Sequence, residues 1–394
     1  MHPLDGIKVA DFTTMINGPF AAMMLAEMGA DVIKVEPPDG DPWRSVAGGF
    51  ICYNRGKRSI SMDLKKDEAK EIAFALIAES DVLVENARWG VWHRLGLDYE
   101  SVVKIKPDII YLSSLGHGSK GPYSSLPGYD PLLQARSGQM VGQGGIDKPP
   151  VYHQIAINDL ACPMLAAYGV VLALLSRART GKGQRVEISL TNASIALQAG
   201  EFVDYAGMER KYLGGSNIQG LSATHRHYQT KDDRYIFVLC PYERQWQSLC
   251  QVIGLEELLS DPRFENFEKR AENDESLVEL LSEAFKTRTA DEWVAGLEEE
   301  DVPVALGQMA EELPYDQHCL ENKIFDEREY PVMGNVRAPG IVPLFSEMSG
   351  IIRRRAPLFG EHTEEVLAEL GYTSERISEL KDNKIVYVNE EEFE

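Results

Sequence analysis

The stretch Ile7–Glu36 reads IKVADFTTMINGPFAAMMLAEMGADVIKVE. Ile7–Phe12 and Asp31–Glu36 are short apolar runs with the residue types of buried strands. Between them, Pro19–Met28 is an apolar helix opened by Pro19 and closed by Gly29. This is a β-α-β unit, and its period recurs downstream. Ser59–Leu64 reads as a strand, Lys66–Glu79 as a helix with one polar face, and Asp81–Glu85 and Asp108–Ser113 as strands. Strands spaced by helices of this length predict an α/β fold, with a Rossmann-like large domain on a mostly parallel sheet.

Further on, Tyr129–Arg136 is expected to be helical and the glycine-rich Gly138–Pro150 a loop. A long helix follows over Leu160–Arg179, with Asn158 or Asp159 as its cap and Pro163 in its first turn. Its length reads as a buried helix rather than a membrane span. Gln184–Leu190 returns as a strand. The glycines then place the domain borders: 1–206 for the large domain, a linker over 207–224, and a smaller α+β domain over 225–329. From 330 to 394, Gly334, Pro339, Gly340 and Pro343 break the chain before two closing helices, Glu361–Leu370 and Ser374–Lys381.

The 394 residues carry 40 basic and 62 acidic side chains, a formal net charge of −22. A field of that sign repels nucleic acid and anionic membrane surfaces, so neither is expected as a partner. The five cysteines are odd in number and form no C-x-x-C pair, which argues against a disulfide framework or a zinc ribbon. A reducing, cytoplasmic setting fits. Met1–Asp5 has no basic region leading into an apolar run, so no signal peptide is expected.

Several residues invite chemistry. The first β–α turn has only Gly18 where a dinucleotide site needs G-x-G-x-x-G, so the layer architecture does not carry NAD binding with it. Asn54–Ser59 (NRGKRS) is the densest basic cluster, either a phosphate or carboxylate site or a solvated loop. Asp159 is either a helix cap or a carboxylate held at the positive end of a helix dipole, usable as a nucleophile. Glu243 is a surface or a catalytic carboxylate. His225 and His227 lack a third ligand, and no metal site is expected.

Seven segments in order resemble the family III CoA-transferases. They are Pro3–Phe12, Gly18-Pro19 with Leu25–Glu36, Asn54–Ile60, Glu85-Asn86 with Arg94-Leu-Gly96, Thr180–Gln184, Asp261–Phe264 and Ala356–Gly360. The resemblance implies an interlocked homodimer whose large domain is built from both chain ends, so that 330–394 returns to it. It implies that Asp159 is the catalytic nucleophile, moving CoA from an acyl-CoA to a carboxylic acid with no tightly bound cofactor. Met15, Ile16, Asn17, Asn86 and Arg94 then correspond to positions along CoA, with Lys57 and Arg58 as phosphate partners. Tyr129 and Asp130 would orient the acceptor acid, and Gly214-Gly215 lie near the family's glycine loop. Pro37 stands where some members carry an arginine for the adenine. The family's racemase branch needs a histidine where Tyr129 stands, beside Asp159 and Glu243. Tyrosine, with an ordinary pKa of about 10, is a poor base there, so transfer is favoured. A CoA-binding protein without turnover is the remaining alternative.

Overall fold

The structure is a computed structural model and describes residues 1–145, 148–208, 219–331 and 333–388. Its chain divides into two compact units. The first comprises 1–139, 152–205 and 319–394. Seven strands form its sheet: β1 (Lys8–Asp11), β2 (Asp31–Glu36), β3 (Arg58–Met62), β4 (Val82–Glu85), β5 (Ile110–Leu115), β6 (Gln184–Ser189) and, from the far end of the chain, a strand at Val386–Tyr387. The order is Val386–Tyr387, β3, β2, β1, β4, β5, β6. Every pairing is parallel except the edge pairing of Val386–Tyr387 with β3.

The register shows why these residues make a three-layer core. Val9, Val32, Val82 and Ile110 are aligned neighbours and point to one face. Ala10, Ile33, Leu83 and Tyr111 follow each of them and point to the other. Alternation along a strand sends successive side chains to opposite faces, so both faces need cover. The first is covered by the helices Asn17–Glu27 and Ile157–Thr180, through Ala21, Ala22, Leu25 and Ala166, Val170, Ala173. The second is covered by Asp67–Ala78 and by the closing helices Thr363–Glu369 and Ser374–Asp382.

The helix Ile157–Thr180 departs from expectation in two ways. It starts three residues before Leu160, so Pro163 stands in the second turn, where it leaves the Asp159 carbonyl without its i+4 N–H donor. It is also not a buried helix. Met164, Tyr168, Val171 and Leu175, spaced along one face, are 54%, 63%, 42% and 48% exposed. Among the described residues it is the one helix long and apolar enough to cross a membrane, but its other face is part of the sheet core.

The broken stretch after residue 330 holds structure as well. Among the described residues the further strands are β7 (Gly220–Ser222), β8 (His225–Gln229), β9 (Tyr235–Leu239), β10 (Val304–Leu306), β11 (Phe325–Tyr330) and β12 (Gly334–Pro339), and β11 and β12 form a hairpin within the first unit. Gly334 takes the left-handed conformation at its turn, and Pro339 sits at the strand end, where a missing N–H costs least.

The second unit comprises 140–151 and 206–318, so its border falls at His318 rather than at 329. It carries an antiparallel sheet of order β10, β9, β8, β7. β7 lies inside the expected linker because its backbone groups pair with β8. Gln139–Gly144 is helical where a loop is expected, entered through Gly138 in the left-handed region. Trp246, Trp293, Phe264, Phe285 and Tyr228 fill the unit's core.

Candidate active site

Between β1 and β4 the sheet reverses its order of growth, since β2 and β3 extend one way and β5 and β6 the other. Loops leaving the carboxyl ends of strands diverge at such a point and open a crevice. Here the loops after β1 and β4 border a cavity of about 250 Å³. Met15, Ile16 and Asn17 line one side, Asn86 to Trp89 another, and Ser114, Tyr129 and Asp159 the rest.

Asp159 is the third residue of its helix and lines the cavity. It does not cap the helix. The N-cap position is Ala156, which has no side chain for the purpose. Asp130 caps instead, from the start of the helix Asp130–Arg136: its Oδ2 accepts the N–H of Asn158 at 2.7 Å and of Asp159 at 3.1 Å. Its Oδ1 accepts from Gln134 Nε2 at 2.5 Å. Gln134 in turn is held by both backbone groups of His153, and the amides of Gln139 and Asn158 pair reciprocally at 3.0 Å. Asp130 is thus a buried anchor with both oxygens engaged, which corrects its expected place beside the acceptor. The exposed ring on that wall is Tyr129.

The consequence is electrostatic. Asp130 takes up the free N–H groups that would otherwise stabilise an anion at this helix start. Among the described residues no donor reaches the Asp159 carboxylate. Burial, and then the neighbouring Asp130 charge, push the Asp159 pKa up to about 7. A carboxylate with no fixed partner, in a cavity, near its own pKa, is available for both nucleophilic attack and proton exchange.

The basic cluster turns out otherwise. Lys57 is fully buried, and its Nζ donates to Asp11 Oδ2 and to the Pro19 carbonyl at 2.8 Å and to Asn54 Oδ1 at 2.9 Å. Burial pushes its pKa down to about 8, against the pull of Asp11. Arg58 pairs with Asp31 at 2.6 Å and with Glu365 and Glu369 at 2.8 Å. Neither lines the cavity that Asp159 faces. Each cation already has carboxylate partners from distant segments, which a local reading cannot see.

Asn86 lines the cavity, but its amide is engaged: Oδ1 accepts the Thr14 N–H at 3.1 Å and Nδ2 donates to the Thr14 carbonyl at 2.7 Å. Asn17 accepts from Ser114 Oγ at 3.0 Å. Arg94 is exposed on the short helix Val91–Leu95 and does not line the cavity; Arg88, passed over in the sequence, does. The signal available for Arg88 was its place two residues after Asn86. Glu243 belongs to the second unit, where Arg270 holds it at 2.7 Å. Gly214 and Gly215 lie outside the described residues. Behind the Ala87–Gly90 loop a second cavity, of about 330 Å³, is lined by Glu85, Trp92, Tyr111 and Arg185 and does not reach Asp159. Among the described residues no cluster of metal-ligating side chains occurs.

Comparison with known proteins adds an independent finding. Residues 4–363 match the family model CoA-transferase family III. The chain is 32% identical to a succinyl-CoA:glutarate CoA-transferase of Mus musculus, over 99% of this chain and 92% of that protein. It is 32% identical to a formyl-CoA:oxalate CoA-transferase of Escherichia coli O6:H1, over 98% of this chain and 99% of that one. A crystal structure of a CAIB/BAIF family protein from Brucella suis superposes with a TM-score of 0.85 at 31% identity, covering 94% of this chain and 99% of that one.

Proposed function

Because the chain belongs to CoA-transferase family III and is an enzyme of that kind, we propose that it moves CoA between carboxylic acids through covalent intermediates on Asp159. The observation that carries this reading is the Asp159 side chain, unpartnered among the described residues, facing a cavity at the switch point of a parallel sheet.

The steps are those of nucleophilic catalysis. The Asp159 carboxylate adds to the thioester carbonyl of a donor acyl-CoA, the C–S bond breaks, and CoA leaves as thiolate. The product is a mixed anhydride. The thiolate adds to the aspartyl carbonyl and releases the donor acid, leaving an aspartyl-CoA thioester. An acceptor carboxylate adds to that thioester and CoA leaves again. The thiolate then takes the acyl group of the new anhydride and frees Asp159. The carboxylate must be ionised to begin, so turnover rises with pH through about 7. Asp130 acts by holding the helix start, and Tyr129 faces the acceptor.

The assembly in this reading is a homodimer with interlocked chains. The apolar face of Met164, Tyr168, Val171 and Leu175, with Ile195, Leu197 and Phe202 also exposed, supports a second copy as its cover. Light scattering is expected to give a dimer that does not dissociate short of unfolding; a monomer at micromolar concentration contradicts it.

The test is an acyl-CoA panel mixed with free carboxylic acids in heavy water, read by mass spectrometry. A new CoA ester establishes transfer and names donor and acceptor. Deuterium entering the α-carbon of a 2-methylacyl-CoA, with no new ester, would make the enzyme a racemase and overturn the reading.

A further inference from the structure

The loop that follows β1 lines the cavity through Thr14–Asn17, and Met15 within it has φ of +71°. That left-handed conformation places Cβ against the following carbonyl oxygen and is costly for any residue but glycine. Something outside the loop must hold it there.

The structure shows what does. Asp41, on the loop after β2, and Lys34, in β2, are both fully buried and form an ion pair at 2.7 Å. Asp41 Oδ1 accepts the Met15 N–H at 3.0 Å and the Trp43 N–H at 2.9 Å. Lys34 Nζ reaches past it and donates to the Thr13 carbonyl at 2.8 Å. Asp41 is itself fixed through its own N–H, which donates to Glu36 Oε2 at 3.0 Å. From the other side, Asp11 Oδ1 accepts the Thr13 N–H at 3.0 Å, and Asn86 brackets the Thr14 peptide. The close approach of Gly18 to Thr13 leaves no room for a Cβ, so the loop cannot relax in that direction. The two peptide groups that precede the strained residue, Thr13–Thr14 and Thr14–Met15, are thus held by side chains from other segments rather than by the loop's own turn.

We infer that the buried Lys34–Asp41 pair is a positioning device for the substrate cavity. It keeps Met15 left-handed, so that Ile16 and Asn17 stand where CoA passes on its way to Asp159. Lys34 and Asp41 touch no substrate and act through Met15. The inference rests on the proposed CoA cavity. It goes beyond it by assigning a role to an ion pair that does not line that cavity.

Glycine adopts a positive φ at little cost, so replacing Met15 by glycine should make the clamp dispensable. The experiment therefore compares Lys34→Met/Asp41→Ala, Met15→Gly and the triple variant, with calorimetric binding of CoA as the readout. Replacing both partners leaves no unpaired buried charge, which favours folding. The pair variant should bind CoA about tenfold more weakly, the factor one left-handed non-glycine residue costs. Met15 lines the cavity, so Met15→Gly sets its own reference affinity; adding the pair substitutions to it should change CoA affinity by less than about threefold. Wild-type affinity in the pair variant overturns the inference. So does the same loss in the Met15→Gly background, since a pair needed only for folding would show that. If the pair variant does not fold, the milder Asp41→Asn must show a smaller loss with the same rescue, or the inference fails. The functional reading is checked separately by transfer in Asp159→Asn. Loss of transfer there with unaltered CoA binding in the pair variant sinks only the clamp; transfer that persists sinks the reading itself.

Discussion

Asp11 and Asp159 stand in contrasting charge environments, one at the end of β1 and the other at a helix start. Asp11 is buried among cations, and Lys57 and Lys34 outweigh its burial and hold its pKa below the usual value. Asp159 is partly buried, beside another carboxylate, and is pushed up to about 7. The first charge is neutralised and immobile, while the second has no fixed partner among the described residues. A charged residue becomes chemistry when its surroundings leave it uncompensated, and scaffold when they do not.

Four measurements bear on that contrast. The largest effect is expected at Asp159, where Asn keeps the shape and removes the nucleophile. Transfer should fall by about 10³-fold or more with CoA binding intact. Turnover near the wild-type rate would place the reacting carboxylate elsewhere. Next comes Lys57→Met, which strands the Asp11 charge in the core. Denaturant unfolding should show a loss of about 3–5 kcal/mol, and a loss under about 1 kcal/mol would mean that the cluster is scaffold in appearance only.

The third is a pH effect of known sign. The Asp159 pKa is raised in the folded state above its ordinary 3.8, so its ionisation opposes folding. The resulting loss of stability begins near the unfolded pKa and is complete above about 7. Asp159→Asn should therefore be more stable than the parent, by up to about 3 kcal/mol at pH 8 and by less at pH 5. A gain that is larger at pH 5 contradicts the assignment. The smallest effect is expected at Arg58. Its carboxylate partners are about half exposed, so Arg58→Gln should cost about 1 kcal/mol and leave CoA affinity unchanged. A weaker CoA complex would favour a phosphate role for Arg58 instead.

The sequence made the large layer legible because its signals are local. Ile7–Glu36 carries a strand, a helix and a strand in one run, with Gly29 to end the helix. Asp159 could be singled out from its place ahead of an apolar helix, and from the family resemblance. Its environment could not, because the residue that caps the helix, Asp130, lies 29 positions away. Lys57 misled for the same reason, since its partner Asp11 is 46 positions distant. Local composition sees three cations around a glycine; only the fold shows that they face inward. The stretch after Tyr330 read as a break because Gly334 and Pro339 are turn formers, and a hairpin uses both. The left-handed Met15 left no trace in the sequence at all, since a glycine is the residue that marks such a position.

The most direct measurement is to trap the covalent intermediate. The enzyme would be incubated with a donor acyl-CoA and no acceptor, quenched with hydroxylamine, and digested for peptide mass analysis. An activated carboxyl, as anhydride or thioester, is converted to a hydroxamate, so the modification marks the reacting residue. A hydroxamate at Asp159, dependent on acyl-CoA and absent from Asp159→Asn, is the expected result. A hydroxamate on another carboxylate, or none while CoA transfer proceeds, would contradict it.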